Sequence, residues 1–586
     1  MVQAQDGTPL VQDLKALADT LGPLQDSKAQ SFLASYPLDV IFRELSGPQV
    51  MPAVIETARQ ALEKVFNTGF GSALLPQLVP YAAAALASAA APSMRQLAVQ
   101  QLARLLAAPA FSAASGSQQQ ELLGLLLGAL RDPDTGVAGA AEEALSSLSS
   151  SPAALGALLS TPPASQQLQA LASSADPVLA IRGLTLALRL AAAGPEAGAA
   201  VRRTGLLEPL LRALQDPRDI LAAAAALQLV KEAAEGCDAG MASELGEAAM
   251  PALEALMPAG TPAGTPQPDV VVQCAALQAA AALLVASLKA GHGPMAVYSQ
   301  LAAGPAGAAG QASRVAQYPV LAAIKAVLDV GSLEEFSPEL EEAALDAVGT
   351  IGLEAPGATA ILQDPSRLIL DVASKALGRA PNPSSRIGAL HALAAVAGSE
   401  RAAEAGRGAA ALLGPVEEEA LRFAVYEGAL SSSTTASPAD VTLDLLENPF
   451  LELRVATYRA LSALLQREWM AAAVCSYAEL LARLLSPQSE SGRQGCEWRY
   501  ACVRALAGTV RAVTAAGQQL HEALGNGLTA NGTAGQHQRQ YSGQYRALLA
   551  AVAQQIDDAA AQGPYGLASA TPEAFQVATI SRGGGQ

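Results

Sequence analysis

Few residues in this chain have the types and spacing that covalent or metal chemistry needs. Four histidines, His292, His391, His521 and His537, stand isolated. His521-Glu522 is not followed by the second His that a helical zinc-protease pair requires. Cys496 and Cys502 lie six apart with no His nearby, so ordinary helix packing explains them better than a metal site. With Cys237, Cys274 and Cys475 they make an odd set of five without a disulfide framework, which fits a reducing compartment. GNGLTA at Gly525 shares letters with a dinucleotide-binding turn but follows a helical run where that turn needs a strand. No G-x-x-x-x-G-K-[ST] phosphate loop occurs. Asn531-Gly532-Thr533 is a glycosylation sequon that stays silent without a secretory signal. Glu417-Glu418-Glu419 is expected to be the solvated first turn of a helix, where negative charge is favoured. The sequence therefore assigns no catalytic, cofactor-binding or metal-ligating residue, and no cofactor and no enzyme activity are expected.

The elements that carry these residues follow one pattern: an apolar helical run, a short Asp-Pro break, and a second apolar run. It occurs from Leu122, Ala170 and Leu210, with breaks at Asp132-Pro133, Asp176-Pro177 and Asp216-Pro217. These breaks are 44 and 40 residues apart. A period of about 40–47 residues made of helix pairs marks HEAT and armadillo arrays. Leu122, Leu123, Leu126 and Leu130 share one helical face, as do Ala141, Ala144, Leu145 and Leu148. A pair with one apolar face buries it by stacking on its neighbours. The residue before proline avoids the α region, so the break ends one helix, while Asp caps the next and Pro fits its first turn. In AAVRRTGLLEPLLRAL from Ala199, Gly205 is expected in a turn that opens a helix at Leu206-Leu207.

The expected fold is all-α, a right-handed α-solenoid of armadillo/HEAT-like helical repeats. Residues 1–30 read as a polar lead-in with one helix, and 31–565 as one continuous solenoid. Loop insertions are expected near 257–268, 301–313 and 526–544, and a flexible tail over 566–586. Hydrophobic residues make up 51% of the chain and aromatics 4%, so the apolar content is largely Ala and Leu, both strong helix formers. Period-2 runs of Val, Ile and aromatics are nearly absent, which argues against a sheet.

The net charge of −17 repels phosphate backbones, so nucleic acid is not an expected partner, and an acidic face suits basic or mixed protein partners. The N-terminal MVQAQDGTPLVQDLK lacks a basic n-region with an apolar core and carries Asp6 and Asp13, unlike a transit peptide. Apolar stretches such as AALQAAAALLVASL from Ala275 read as too short and too Ala-rich to span a bilayer. No membrane association is expected, and the cytoplasm, with the nucleus second, is the expected location.

Several short strings, in order along the chain, resemble one family. NPFLELRVATYRALSALLQREWMAAAV from Asn448 is similar to the C-terminal repeat of the 26S proteasome non-ATPase regulatory subunit 5 family, through Pro449, Phe450, Glu452, Leu453, Ala456, Ala460, Leu461 and Trp469. ALDAVGTIGLEAPGATAIL from Ala344 resembles that family's Val-Gly-x-(Ile/Leu)-Gly helix end, through Val348, Gly349, Ile351, Gly352, Gly357 and Leu362. Tyr318-Pro319, Thr204-Gly205-Leu206 and Gly563-Pro564-Tyr565 stand where the family has comparable strings. The resemblance covers about residues 30–570 and departs from the family in the Gly/Ala/Pro-rich insertions and after Asn526.

The resemblance implies a non-catalytic assembly chaperone for the base of the 26S proteasome regulatory particle. Such a protein binds the C-terminal region of a base ATPase subunit, beside neighbouring base subunits, and delays docking to the core particle until it is released. A monomer is expected when free. The residues that would grip the partner are unassigned by sequence. A general armadillo/HEAT scaffold is the alternative. An import adaptor is disfavoured, since Trp469 and Trp498 are the only tryptophans and cannot form a Trp ladder. An enzyme with a helical accessory array and an organellar RNA-binding repeat fit the residues less well.

Overall fold

The computed structural model describes residues 8–45, 50–87, 90–107, 116–216, 219–236, 239–258, 267–289, 318–329, 337–378, 382–401, 413–433, 435–525 and 536–566. Every regular element among them is helical, and stacked helices build an all-α solenoid fold. The chain divides into two compact units, Met1–Ala252 and Leu253–Gln586, where one continuous array from 31 to 565 was expected. The division falls inside the helix Ala239–Leu256, next to its internal Pro251. A proline inside a helix removes an amide donor and crowds the carbonyl four residues back, which weakens the helix as a packing element.

The repeat has three helices where the sequence pattern showed two. In the first unit Pro152–Leu159, Ala164–Ala172 and Pro177–Ala191 form one repeat, and Pro195–Arg203, Glu208–Gln215 and Ile220–Gly236 the next. The second unit repeats the order of two shorter helices and one long one as Ala355–Leu362, Leu368–Leu377 and Pro383–Ala397. The additional helices have 8 or 9 residues, about two turns. That is too short to display a periodic stripe, so only their starting prolines mark them in the sequence.

The long helices stack in a layer. In the first unit it runs through Pro52–Phe66, Pro92–Ala107, Thr135–Ser146, Pro177–Ala191 and Ile220–Gly236. In the second it runs through Val270–Lys289, Pro338–Gly352, Pro383–Ala397, Leu451–Leu464 and Arg493–Gly525. The Leu122, Leu123, Leu126, Leu130 face and the Ala141, Ala144, Leu145, Leu148 face are all buried, as their spacing requires.

The breaks behave as caps, with a shift of register at two of the three. Asp176 accepts from the Val178 amide at 3.0 Å, with Pro177 in the first turn. At the earlier break Asp134, not Asp132, caps its helix by accepting from Gly136 and Val137. Asp132 instead takes Arg95 of the previous repeat at 2.7 Å, and Arg182 of the following one donates to the carbonyls of Leu130 and Asp132. One loop thus ties three successive long helices. At the third break Asp219 caps the helix by accepting from the Ala222 amide.

Four further expectations need correction. The lead-in is part of the core: Leu10, Val11 and Leu14 of the helix Pro9–Ala18 are buried, and that helix packs on Pro52–Phe66. Residues 536–544 belong to the helix Gln536–Gln562, because Gln- and Arg-rich polarity is compatible with helix where Pro is absent. The helix Val270–Lys289 has 20 residues and is long and apolar enough to cross a bilayer. Most of it is buried, with Pro338–Gly352 packed against it, so its apolarity serves the core. The acidic run does open the helix Pro415–Leu430, but Glu417 is buried against Gln363 and Glu418 pairs with Arg467 at 3.0 Å. Among those three carboxylates Glu419 is the exposed one. The insertion 301–313, residues 259–266 and 526–535, and the tail from 567 lie outside the described residues.

Candidate partner-binding surface

The long helices of the first unit bury one side against each other and against the shorter helices. Their remaining side is a common open face. On Pro177–Ala191 this face holds Val178, Ile181, Thr185 and Arg189, at helical spacings of three and four. On Ile220–Gly236 it holds Leu221, Ala225, Gln228 and Glu232. On Thr135–Ser146 it holds Gly139, Glu142 and Ser146. Val178, Ile181, Ile220 and Leu221 are 55%, 38%, 39% and 83% exposed, although each is large and apolar.

At the other end of the same helices lies a groove of about 470 Å³. Its walls include Ser146, Ser149, Thr185, Arg189, Leu229 and Glu232. Arg189 of the wall pairs with Glu142 at 3.1 Å. Burial pushes the Glu142 carboxyl pKa up against the opposing pull of Arg189 and Arg182. Glu232 accepts from Gln228 at 2.8 Å at the exposed wall. The groove thus lies at the C-terminal ends of Pro177–Ala191 and Ile220–Gly236, with partly negative carbonyl termini and the Glu232 carboxylate beside it. Sequence reasoning left these residues unassigned. Spacing alone does not set them apart, since Ile181 stands at i, i+3 and i+7 to the core residues Leu184 and Leu188.

The corresponding face of the second unit carries Glu339, Glu342 and Asp346 on Pro338–Gly352, His391 on Pro383–Ala397, and Arg459 on Leu451–Leu464. His391 Nδ1 lies 3.0 Å from Arg459 Nη1, and Arg459 also pairs with Glu400. Burial and the Arg459 charge push the His391 pKa down to about 4. His391 is therefore a neutral acceptor for Arg459.

The other residues weighed for chemistry serve packing. Cys496 and Cys502 are buried on Arg493–Gly525 and donate to the carbonyls of Glu490 and Tyr458. Burial pushes the Cys475 thiol up to about 12, far from the thiolate a nucleophile needs. Among the described residues no three His, Cys, Asp or Glu side chains gather as a metal site. Cys237, His292, the Gly525 string beyond its first residue and the Asn531 sequon lie outside the described residues. His521 and His537 fall within helices whose side chains there are likewise not described.

The strings of the family resemblance acquire physical roles. Tyr318 is the N-cap of Pro319–Leu328, and Gly205 turns with φ +68° ahead of the buried Leu206. Gly352 faces Val396 so closely that a Cβ would lie 2.7 Å from its Cγ2. Arg401 seals that helix end by donating to the carbonyls of Gly352, Ala395 and Val396. The Asn448 side chain accepts from the Phe450 amide, leaving the Phe450 ring 64% exposed. Arg454 donates to the carbonyls of Asn448 and Pro449 and to Glu490 at 3.0 Å. Glu490 also accepts from Tyr458 at 3.1 Å and faces Arg483 at 3.6 Å. Trp469 stacks at a tilt on Tyr426, with ring centres 5.9 Å apart. Arg499, 2% exposed, donates to the Pro564 carbonyl, and Tyr565 to Glu497, which fastens the Gly-Pro-Tyr string to the last repeats.

Comparison with known proteins bears on both fold and family. Residues 13–248 match a family model described as Proteasome non-ATPase 26S subunit. Among curated protein sequences none matches the chain. Yeast importin-beta (Kap95p) is similar in structure, with TM-score 0.50 and 14% identity over 94% of this chain and 62% of that one. Kap121p gives TM-score 0.41 and 14% identity over 93% of this chain and 53% of that one. A designed armadillo repeat protein gives TM-score 0.24 and 15% identity over 58% of this chain and 99% of that one. The chain thus spans between about half and two thirds of the length of these two karyopherins. The likeness to importin-beta is one of fold. The family match, residues 13–248, falls within the first compact unit, Met1–Ala252.

Proposed function

We propose that this protein is a non-catalytic assembly chaperone for the base of the 26S proteasome regulatory particle. In this reading it holds the C-terminal region of a base ATPase subunit, beside neighbouring base subunits, and delays docking to the core particle. The observation that carries the proposal is the proteasome-subunit match over residues 13–248, the unit that holds the open face and groove. The fold supports it, because a stacked-helix array presents an extended surface without needing a catalytic centre. Release at a later stage needs a dissociable interface. Mixed apolar and charged residues on an open face suit that better than a core-like surface does. The same reading has the free protein as a monomer in the cytoplasm, with the nucleus as a second location.

Reconstitution tests it. Purified protein is mixed with base complexes and core particles, and docking is followed on native gels. The proposal requires a complex with the base and slower formation of the docked particle. A docking rate unchanged by saturating protein, with no complex to the base, would exclude it.

A further inference from the structure

Exposed apolar residues are ordinary when they stand singly. In the first unit Val178, Ile181, Ile220 and Leu221 stand together at the N-terminal ends of two helices that pack side by side. Eleven residues further along each helix, on the same face, come Arg189 and Glu232. Eleven residues are about three turns, or roughly 16 Å. The surface therefore has an apolar end and a polar groove at a fixed separation, repeated on two neighbouring helices.

The polar end has a sign. Arg189, itself in the groove wall, is paired with Glu142 at 3.1 Å, and Glu232 is the carboxylate that lines the groove. The groove also receives the C-terminal ends of Pro177–Ala191 and Ile220–Gly236. Each helix C-terminus presents carbonyls equivalent to about half a negative charge, which favours a cation. A volume of about 470 Å³ lies in the range of clefts that hold a bound group, roughly 300–1,000 Å³.

We propose that this face of the first unit binds a helical segment of a partner protein, one that carries two apolar side chains and, about three turns away, a lysine or arginine. The apolar pair covers Val178, Ile181, Ile220 and Leu221, and the basic side chain enters the groove beside Glu232. Apolar anchors on successive turns are how a helix docks on a groove, and the charge at one end sets its direction. This deepens the reading of the face as the partner-binding surface and rests on it.

A displayed library of random 16-residue peptides, selected on the immobilised full-length protein, tests the inference without any proteasome component. Parallel selections use Ile181→Asp and Glu232→Lys, each checked for unchanged helix content and melting temperature. Peptides with an apolar pair and a basic residue three turns away are expected to enrich on the parent protein. Ile181→Asp should lower their enrichment about tenfold, by burying a charge in the apolar contact. Glu232→Lys should switch the preferred basic residue to Asp or Glu, a change that misfolding cannot produce. No enrichment, enrichment without the basic position, or a profile unaltered by both variants would overturn the inference. Those results would leave the proteasome reading standing, and absence of proteasome subunits in cells would leave a positive peptide selection standing.

Discussion

Glu490 gathers Arg454, Arg483 and Tyr458 around one buried carboxylate between the last repeats. Removing the carboxylate takes the charge partner from Arg454 and Arg483 and the acceptor from the buried Tyr458, while both arginines keep backbone carbonyls. Glu490→Ala is expected to cost about 3–5 kcal/mol, read as a fall in the urea midpoint. His391 gives a pH dependence of known sign. Its folded pKa of about 4 lies below the ordinary 6.5, so below pH 6.5 the unfolded chain binds a proton that the folded chain refuses. Stability is therefore highest above pH 6.5 and falls as the pH drops towards 4. Between pH 7 and pH 5 the loss from this group is about 2 kcal/mol at 1.36 kcal/mol per unit. Urea denaturation of His391→Gln should show a smaller loss over that interval; an identical loss would refute the assignment. Neither group could be singled out from sequence, since their partners lie 7 to 68 residues away. The acidic run at Glu417 shows the same limit. Its place in the first helical turn was legible, but its burial was not, because Gln363 and Arg467 come from other repeats.

Among the helices, the Leu and Ala stripes announced the long and medium members of each repeat, and the Asp-Pro steps announced where they end. The short helices escaped notice for want of length. Close helix contacts were equally hidden, because sequence does not tell a glycine needed for approach from one of low cost. The structure separates them. A Cβ at Gly183 would lie 2.6 Å from the Ala172 amide nitrogen, and one at Gly352 would lie 2.7 Å from Val396, whereas Gly139 has nothing within 4 Å. Gly183→Ala and Gly352→Ala are expected to destabilise by about 1–3 kcal/mol through overpacking. Gly139→Ala, inside the helix Thr135–Ser146 on the open face, should stabilise by about 0.5–1 kcal/mol. Thermal denaturation of the three variants checks the contrast, and equal shifts in one direction would show the helix contacts to be misplaced.

Over the molecule as a whole, the sequence made the all-α repeat architecture plain but not its division at Ala252–Leu253. Helical periodicity continues through Pro251, and only tertiary packing reveals that the units are separate. The binding face was illegible for a related reason. Apolar residues at Val178, Ile181 and Leu221 look like core positions until the helix orientation shows them uncovered. The proteasome-subunit match lies on the unit that carries this face. The most direct test is quantitative mass spectrometry of the tagged full-length protein purified from its own cells under mild salt. The account predicts recovery of base ATPase subunits, with neighbouring base subunits and without core-particle subunits. Recovery of no proteasome subunit at all would contradict it.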